Sequence, residues 1–250
     1  MSYQERGTSP WVYIGIGCLA AVLLLVAVVV GLGYIGYRTV QGTIEAMEDP
    51  VARADAAMRI LGVDELPDGY YPMVGMSIPF LVETAVLSDQ PSDETGGVPG
   101  FRERGFIYVK TLRFGEQEQE LRDFFDGKIE DPEALREFSI DLDVDEMLGR
   151  GTFEEDDRTL RWAAYRGEIA ADQPGGGAGE GGRRGRQRQQ GLNAMVLIEC
   201  PEDERLRFGI WFGPDPDPEA ASGSPALLGT PADGAAIQSF MSYFNVCGQS

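Results

Sequence analysis

AMVLIECPEDERLRFGIWF, running from Ala194 to Phe212, decides the fold. Two apolar runs flank the polar turn at residues 201–204. Both are rich in the branched and aromatic side chains that strands favour. A strand points successive side chains to opposite faces. In the second run that alternation sends Leu206, Phe208, Ile210 and Phe212 inward, and Arg205, Arg207 and Trp211 outward. In the first run it groups Val196, Ile198 and Cys200 on one face. Two such runs around a short turn predict an antiparallel hairpin.

Downstream, Asp215 to Ser224 reads as a Pro-rich acidic loop. Thr230-Pro-Ala-Asp233 then resembles a capping box with Pro231 at the first helical position. Ile237, Phe240, Met241 and Phe244 follow at helical spacing, an apolar stripe that needs a sheet to cover. Cys247 closes this helix.

Upstream, Asp49-Pro50 opens a helix that Gly62 ends, with Val51, Ala54, Met58 and Leu61 in register. Residues 66–70 form a turn. The run PMVGMSIPFLVETAVLSD reads as two strands broken at Pro79, and Gln90 to Gly105 as a polar loop. Phe106 to Phe114 is a strand. Glu116 to Asp126 is a helix with Leu121, Phe124 and Phe125 as its stripe. Asp131-Pro132 starts a second helix through Phe138. Ser139 to Val144 is strand-like, and Arg158 to Ala170 is a strand with Leu160, Trp162 and Ala164 on one face. Pro174 to Gly191 carries four arginines against one glutamate and is rich in glycine. Such a composition predicts a flexible loop between strands.

Hairpins with a few amphipathic helices imply an α+β domain, a mostly antiparallel sheet covered by helices. Arg205 to Phe212 followed by Thr230 to Cys247, a late strand and then a covering helix, resembles the PsbP-like α/β sandwich. That resemblance implies a non-catalytic binding or assembly module, by fold analogy.

The N-terminus is different material. WVYIGIGCLAAVLLLVAVVVGLGYI, Trp11 to Ile35, has no charged side chain. About 20 apolar residues at ~1.5 Å rise cross a ~30 Å hydrocarbon core. A cleaved signal peptide would have a shorter core and a small-residue cleavage site. A lipoprotein cysteine would follow the core, whereas Cys18 lies inside it. The organisation expected is a tail over 1–10, a transmembrane anchor over 11–37, a juxtamembrane helical segment over 38–66, and a folded domain over 67–250. Trp11, Tyr13, Tyr34 and Tyr37 sit where interfacial aromatic belts form. Residues 31–36 match G-x-G-x-x-G, but without the strand and helix that give that motif its phosphate chemistry. The domain is expected on the extracytoplasmic side.

About 210 residues follow the anchor, enough for one substantial core. The chain has 41 acids, 21 Lys and Arg, and a formal charge of −20. Such a surface repels nucleic acid. There is no histidine. That removes Ser-His and Cys-His nucleophile pairs and His-containing zinc sites.

Cys200 and Cys247 are the candidate disulfide of an exported domain; two free core thiols are the competing reading. Trp162 and Trp211 are the candidate partner surface, set against core packing of at least one. Asp141, Asp143 and Asp145 alternate onto one strand face. An EF-hand starting at Asp141 would need Gly and Glu where Glu146 and Thr152 stand, so the motif fails. Lys110 is read as a snorkelling side chain. Asp215, Asp217 and Glu219 are read as a surface loop. No catalytic, cofactor or metal residue is assigned.

The expected function is a single-pass, membrane-anchored, non-enzymatic binding or scaffolding domain of the bacterial envelope. Its partners would be the lipid bilayer through 11–37 and an envelope protein. Two alternatives remain: a carboxylate-based envelope hydrolase, and a sensor pairing through its anchor helix, where Gly17 and Ala21 permit close approach.

Overall fold

The computed structural model describes residues 49–78, 81–91, 100–112, 115–129, 140–155, 157–172, 186–201 and 203–248. The anchor over 11–37, the helix expected from Asp131 and most of the Gly/Arg loop lie outside these residues. Among the described residues no helix is long and apolar enough to cross a membrane.

The elements run α1 (Pro50–Leu61), β1 (Tyr71–Ile78), β2 (Val82–Ser88), β3 (Gly105–Thr111), α2 (Gly115–Phe125), β4 (Ile140–Glu155), β5 (Arg158–Asp172), β6 (Arg186–Glu199), β7 (Leu206–Gly213) and α3 (Gly234–Met241). The seven strands make one sheet in the order β1-β2-β3-β7-β6-β5-β4. Every pairing is antiparallel. Two meanders meet in the middle: β1 to β3 runs in from one edge, β4 to β7 from the other. The chain crosses from β3 to the far edge by way of α2.

Helices cover both faces. Directly paired residues in an antiparallel ladder share a face. One face therefore holds Ala85, Tyr108, Phe106, Trp211, Val196 and Leu160, under Ala57, Ile60 and Leu61 of α1 and Ile237, Phe240 and Met241 of α3. The opposite face holds Val86, Ile107, Ile210, Met195 and Leu197, under Leu121, Phe124 and Phe125 of α2. This corrects the alternation read for Arg205 to Phe212. All residues of β7 are buried, Arg207 and Trp211 included. A central strand covered on both sides has no outward face.

Local chemistry sets the helix ends. Asp49 Oδ1 accepts the Val51 N–H at 2.9 Å. Gly62 takes a left-handed φ of 69°, and the Val63 N–H reaches Met58 O at 3.0 Å. Both ends of α1 thus satisfy donors and acceptors the helix leaves over. α1 lies close on β1, because a Cβ on Gly75 would stand 2.6 Å from Ala57 N. The last helix differs from expectation. Asp233, not Thr230, is its N-cap, accepting the Ala235 N–H at 3.1 Å. It ends at Met241, six residues before Cys247.

Two further boundaries are corrected. The strand expected to stop at Val144 continues to Glu155. Residues 186–190 of the Gly/Arg stretch are not loop but strand, pairing with β5 from Asp172 to Glu168.

Candidate functional site

Residues 214–233 lead from the end of β7 to α3 and are tied down by one arginine. Arg166 Nε pairs with Asp215 at 2.5 Å, and Arg166 also meets Glu146. Its Nη2 donates to Asp217 O at 3.3 Å and Ala220 O at 3.1 Å. The hydrogen bond to Asp215 raises the Arg166 pKa further. The acidic loop read as free surface is therefore strapped to β5. No local pattern signals the pair, which stands 49 positions apart.

Two hollows open beside the turn at 229–234. One, of about 180 Å³, is lined by Arg104, Trp211, Phe212 and three prolines, Pro214, Pro216 and Pro231. The other, of about 230 Å³, is lined by Leu148, Gly149, Trp162, Leu227 and Leu228, with Asp233 beside them. Both are below the ~300–1,000 Å³ of ordinary small-molecule pockets. Each is the size of one inserted side chain.

The two candidate tryptophans thus lie at two hollows, not on one surface. Trp211 is core: its ring stacks on Phe240 at 4.5 Å and its Nε1 donates to Tyr70 Oη at 2.7 Å. Only its edge reaches the first hollow. Trp162 is half-buried. Its indole lies against three glycines, and a Cβ at Gly149, Gly151 or Gly234 would come within 3.2, 2.7 and 3.0 Å of the ring. Phe153 stacks beyond it at 5.9 Å. The Trp162 Nε1 is buried without a hydrogen-bond partner.

The remaining charged candidates are internal. Lys110, 4% exposed, does not snorkel to water but pairs with Glu83 at 2.9 Å. Arg207, fully buried, pairs with Asp203, which Arg205 also meets at 3.2 Å. Burial works against ionising Asp203, but the Arg205 N–H and the two guanidinium groups hold its carboxyl at about 2. Burial raises the Tyr108 phenol well above its ordinary pKa, against the opposing charge of Arg207. The carboxylates here neutralise cations and anchor loops.

β-bulges at Val144/Glu146 and Met147/Gly149 interrupt the face expected to carry Asp141, Asp143 and Asp145. Asp145 accepts from Gln190 at 2.9 Å. Among the described residues no three His, Cys, Asp or Glu side chains are grouped to hold a metal ion. Cys200 and Cys247 are joined, with Cα atoms 5.5 Å apart. The bond ties the chain beyond α3 to the end of β6.

No family model matches the chain, and no curated protein matches it. Among solved structures it is similar to human StAR-related lipid transfer protein 5, at 11% identity over 78% of this chain and 91% of that chain, with a TM-score of 0.19. At that score the likeness carries no argument about fold or ligand.

Proposed function

We propose that the chain is a single-pass membrane protein whose extracytoplasmic α+β domain binds a protein partner without catalysis. The uncharged run from Trp11 to Ile35 supports the anchor. One observation carries the binding role: two side-chain-sized hollows, each walled by a tryptophan, flank one turn. Rigid aromatic walls beside Pro- and Gly-rich backbone suit insertion of a partner's anchor residues. The charged groups are engaged in structure, as Glu146 and Asp215 are on Arg166. The strand-then-helix order similar to a PsbP-like sandwich agrees with an assembly role.

A photo-crosslinking residue at Leu228, which is 69% exposed, tests the site in the full chain in native membranes. The expected result is one discrete adduct, reduced by Trp162→Ala and absent when the crosslinker sits at the exposed Asp157. Equal labelling at both positions would overturn the site. A membrane-impermeant thiol reagent on intact cells tests the side: Cys200 and Cys247 should label only after reduction. Labelling only after lysis, with no reductant needed, would place the domain in the cytoplasm and remove the envelope reading.

A further inference from the structure

We infer that the hollow beside Arg104 takes an apolar side chain flanked by a carboxylate, offered by an acidic-apolar segment of the protein partner. This rests on the binding role proposed above and assigns the chemistry of one of its two hollows.

The walls favour a rigid fit. Pro214, Pro216 and Pro231 hold fixed φ angles, and the Trp211 ring is locked by Phe240 and Tyr70. A surface already ordered loses little entropy when a side chain enters. At about 180 Å³ the space admits a branched aliphatic or aromatic side chain and excludes a cofactor-sized molecule.

Arg104 gives the hollow its sign. The chain carries a formal charge of −20, yet among the described residues Arg104 makes no ion pair. It is exposed, and its guanidinium sits 5.7 Å above the Tyr70 ring, whose hydroxyl is fixed by Trp211. The nearby acid is engaged elsewhere. Asp89 accepts the backbone N–H groups of Arg102, Glu103 and Arg104 at 2.9, 2.9 and 3.1 Å. That triple contact holds the turn from which Arg104 projects. Other arginines nearer the core are committed, Arg158 to Glu155 and Arg166 to Asp215. A planar guanidinium held on an aromatic ring presents a fork matched to a carboxylate. The second hollow is lined by Asp233 and by no cation, so the two hollows differ in charge preference.

The test uses the full chain in detergent and the indole N–H signal of Trp211, assigned with Trp211→Phe. Three probes are titrated: N-acetyl-leucine, N-acetyl-leucinamide, and N-acetyl-leucyl-aspartyl-amide. Saturable shifts in the millimolar range are expected for the probes with a carboxylate. The neutral amide should bind about tenfold more weakly. Preference for N-acetyl-leucine identifies a partner C-terminus, and preference for the aspartyl probe an internal acidic segment. Arg104→Gln should erase the difference between acid and amide, with the circular dichroism spectrum unchanged. Equal shifts by acid and amide, or no saturation by either acid, overturn the assignment. If that happens while the Leu228 adduct persists, the binding role stands and only the charge preference falls.

Discussion

The two faces of the sheet are built from alternate residues of the same strands, yet they are held in different ways. Under α1 and α3 the core is aromatic: Phe106 stacks on Phe244 at 4.9 Å, and Tyr70 and Trp211 meet Phe240 at 5.3 and 4.5 Å. Under α2 it is mostly aliphatic, with Val109, Leu197 and Ile210 against Leu121. The aromatic face is closed by segments from opposite ends of the folded domain, and it is tied by specific bonds. The Asn245 N–H donates to Leu61 O at 3.1 Å. Arg158, buried, donates to Met241 O at 3.3 Å and to Phe244 O, satisfying carbonyls beyond the end of α3, a favourable place for a cation. The disulfide adds a covalent tie. The aliphatic face is closed by a helix that follows β3 directly in sequence. Covers far apart in sequence cost more closure entropy, and the extra bonds fall on the face where that cost is largest.

Removing the disulfide breaks this comparison most strongly. Cys200 and Cys247 are 47 residues apart, and a loop of that length implies a loss of about 4 kcal/mol on the chain-entropy estimate. For Cys200→Ala/Cys247→Ala, hydrogen exchange should show early loss of protection in α3. The α2 amides should stay protected until global unfolding. Equal loss in both helices would mean that the two covers are not held separately.

Gly75→Ala is the next test. The added Cβ would meet Ala57 N at 2.6 Å and Arg53 O at 2.8 Å, both backbone atoms. Overpacking against backbone should cost about 2 kcal/mol, read as a lower midpoint in urea. On the other face Met195→Leu, buried in β6, conserves volume and should cost under about 1.5 kcal/mol. A larger effect at Met195 than at Gly75 would reverse the assignment of the tighter face.

These contrasts also explain what sequence alone could read. Asp49-Pro50 and Gly62 marked α1 because capping acts over a few residues. Pro79 separated β1 from β2, and the polar turn at 201–204 announced the hairpin, for the same reason. The burial of Arg207 and Lys110 was not legible. Alternation assumes one solvated face, and the covers come from residues 50–61 and 234–241. The start of α3 was ambiguous because Thr230 and Asp233 are both good caps. The hydrogen bond from Ala235 to Asp233 decides between them. Of the two hollows only the tryptophans were visible in sequence. Arg104 and the prolines meet them through contacts that no local pattern encodes.

Asp203 gives the smallest and most specific test, because the ionic groups of the two faces differ in burial. On the aromatic side Asp203 holds the fully buried Arg207 and keeps 21% of its own side-chain surface in water. Its carboxyl, at about 2, lies below the ordinary 3.8. A depressed carboxylate contributes stability above its unfolded pKa and loses it as pH falls through the folded one. The contribution is therefore complete above about pH 4 and gone near pH 2. Solvent screens the pair, which reduces the expected contribution to about 1 kcal/mol. Asp203→Asn should lower stability by that amount at pH 7 and converge on the parent protein near pH 2. On the α2 side Asp123 pairs with Lys128 in the open, where 58% of the lysine is exposed. Asp123→Asn should leave stability at pH 7 unchanged within error, because solvent already weakens that pair. A steeper acid dependence lost at Asp123 than at Asp203 would mean that the aromatic face is not where buried charge is held.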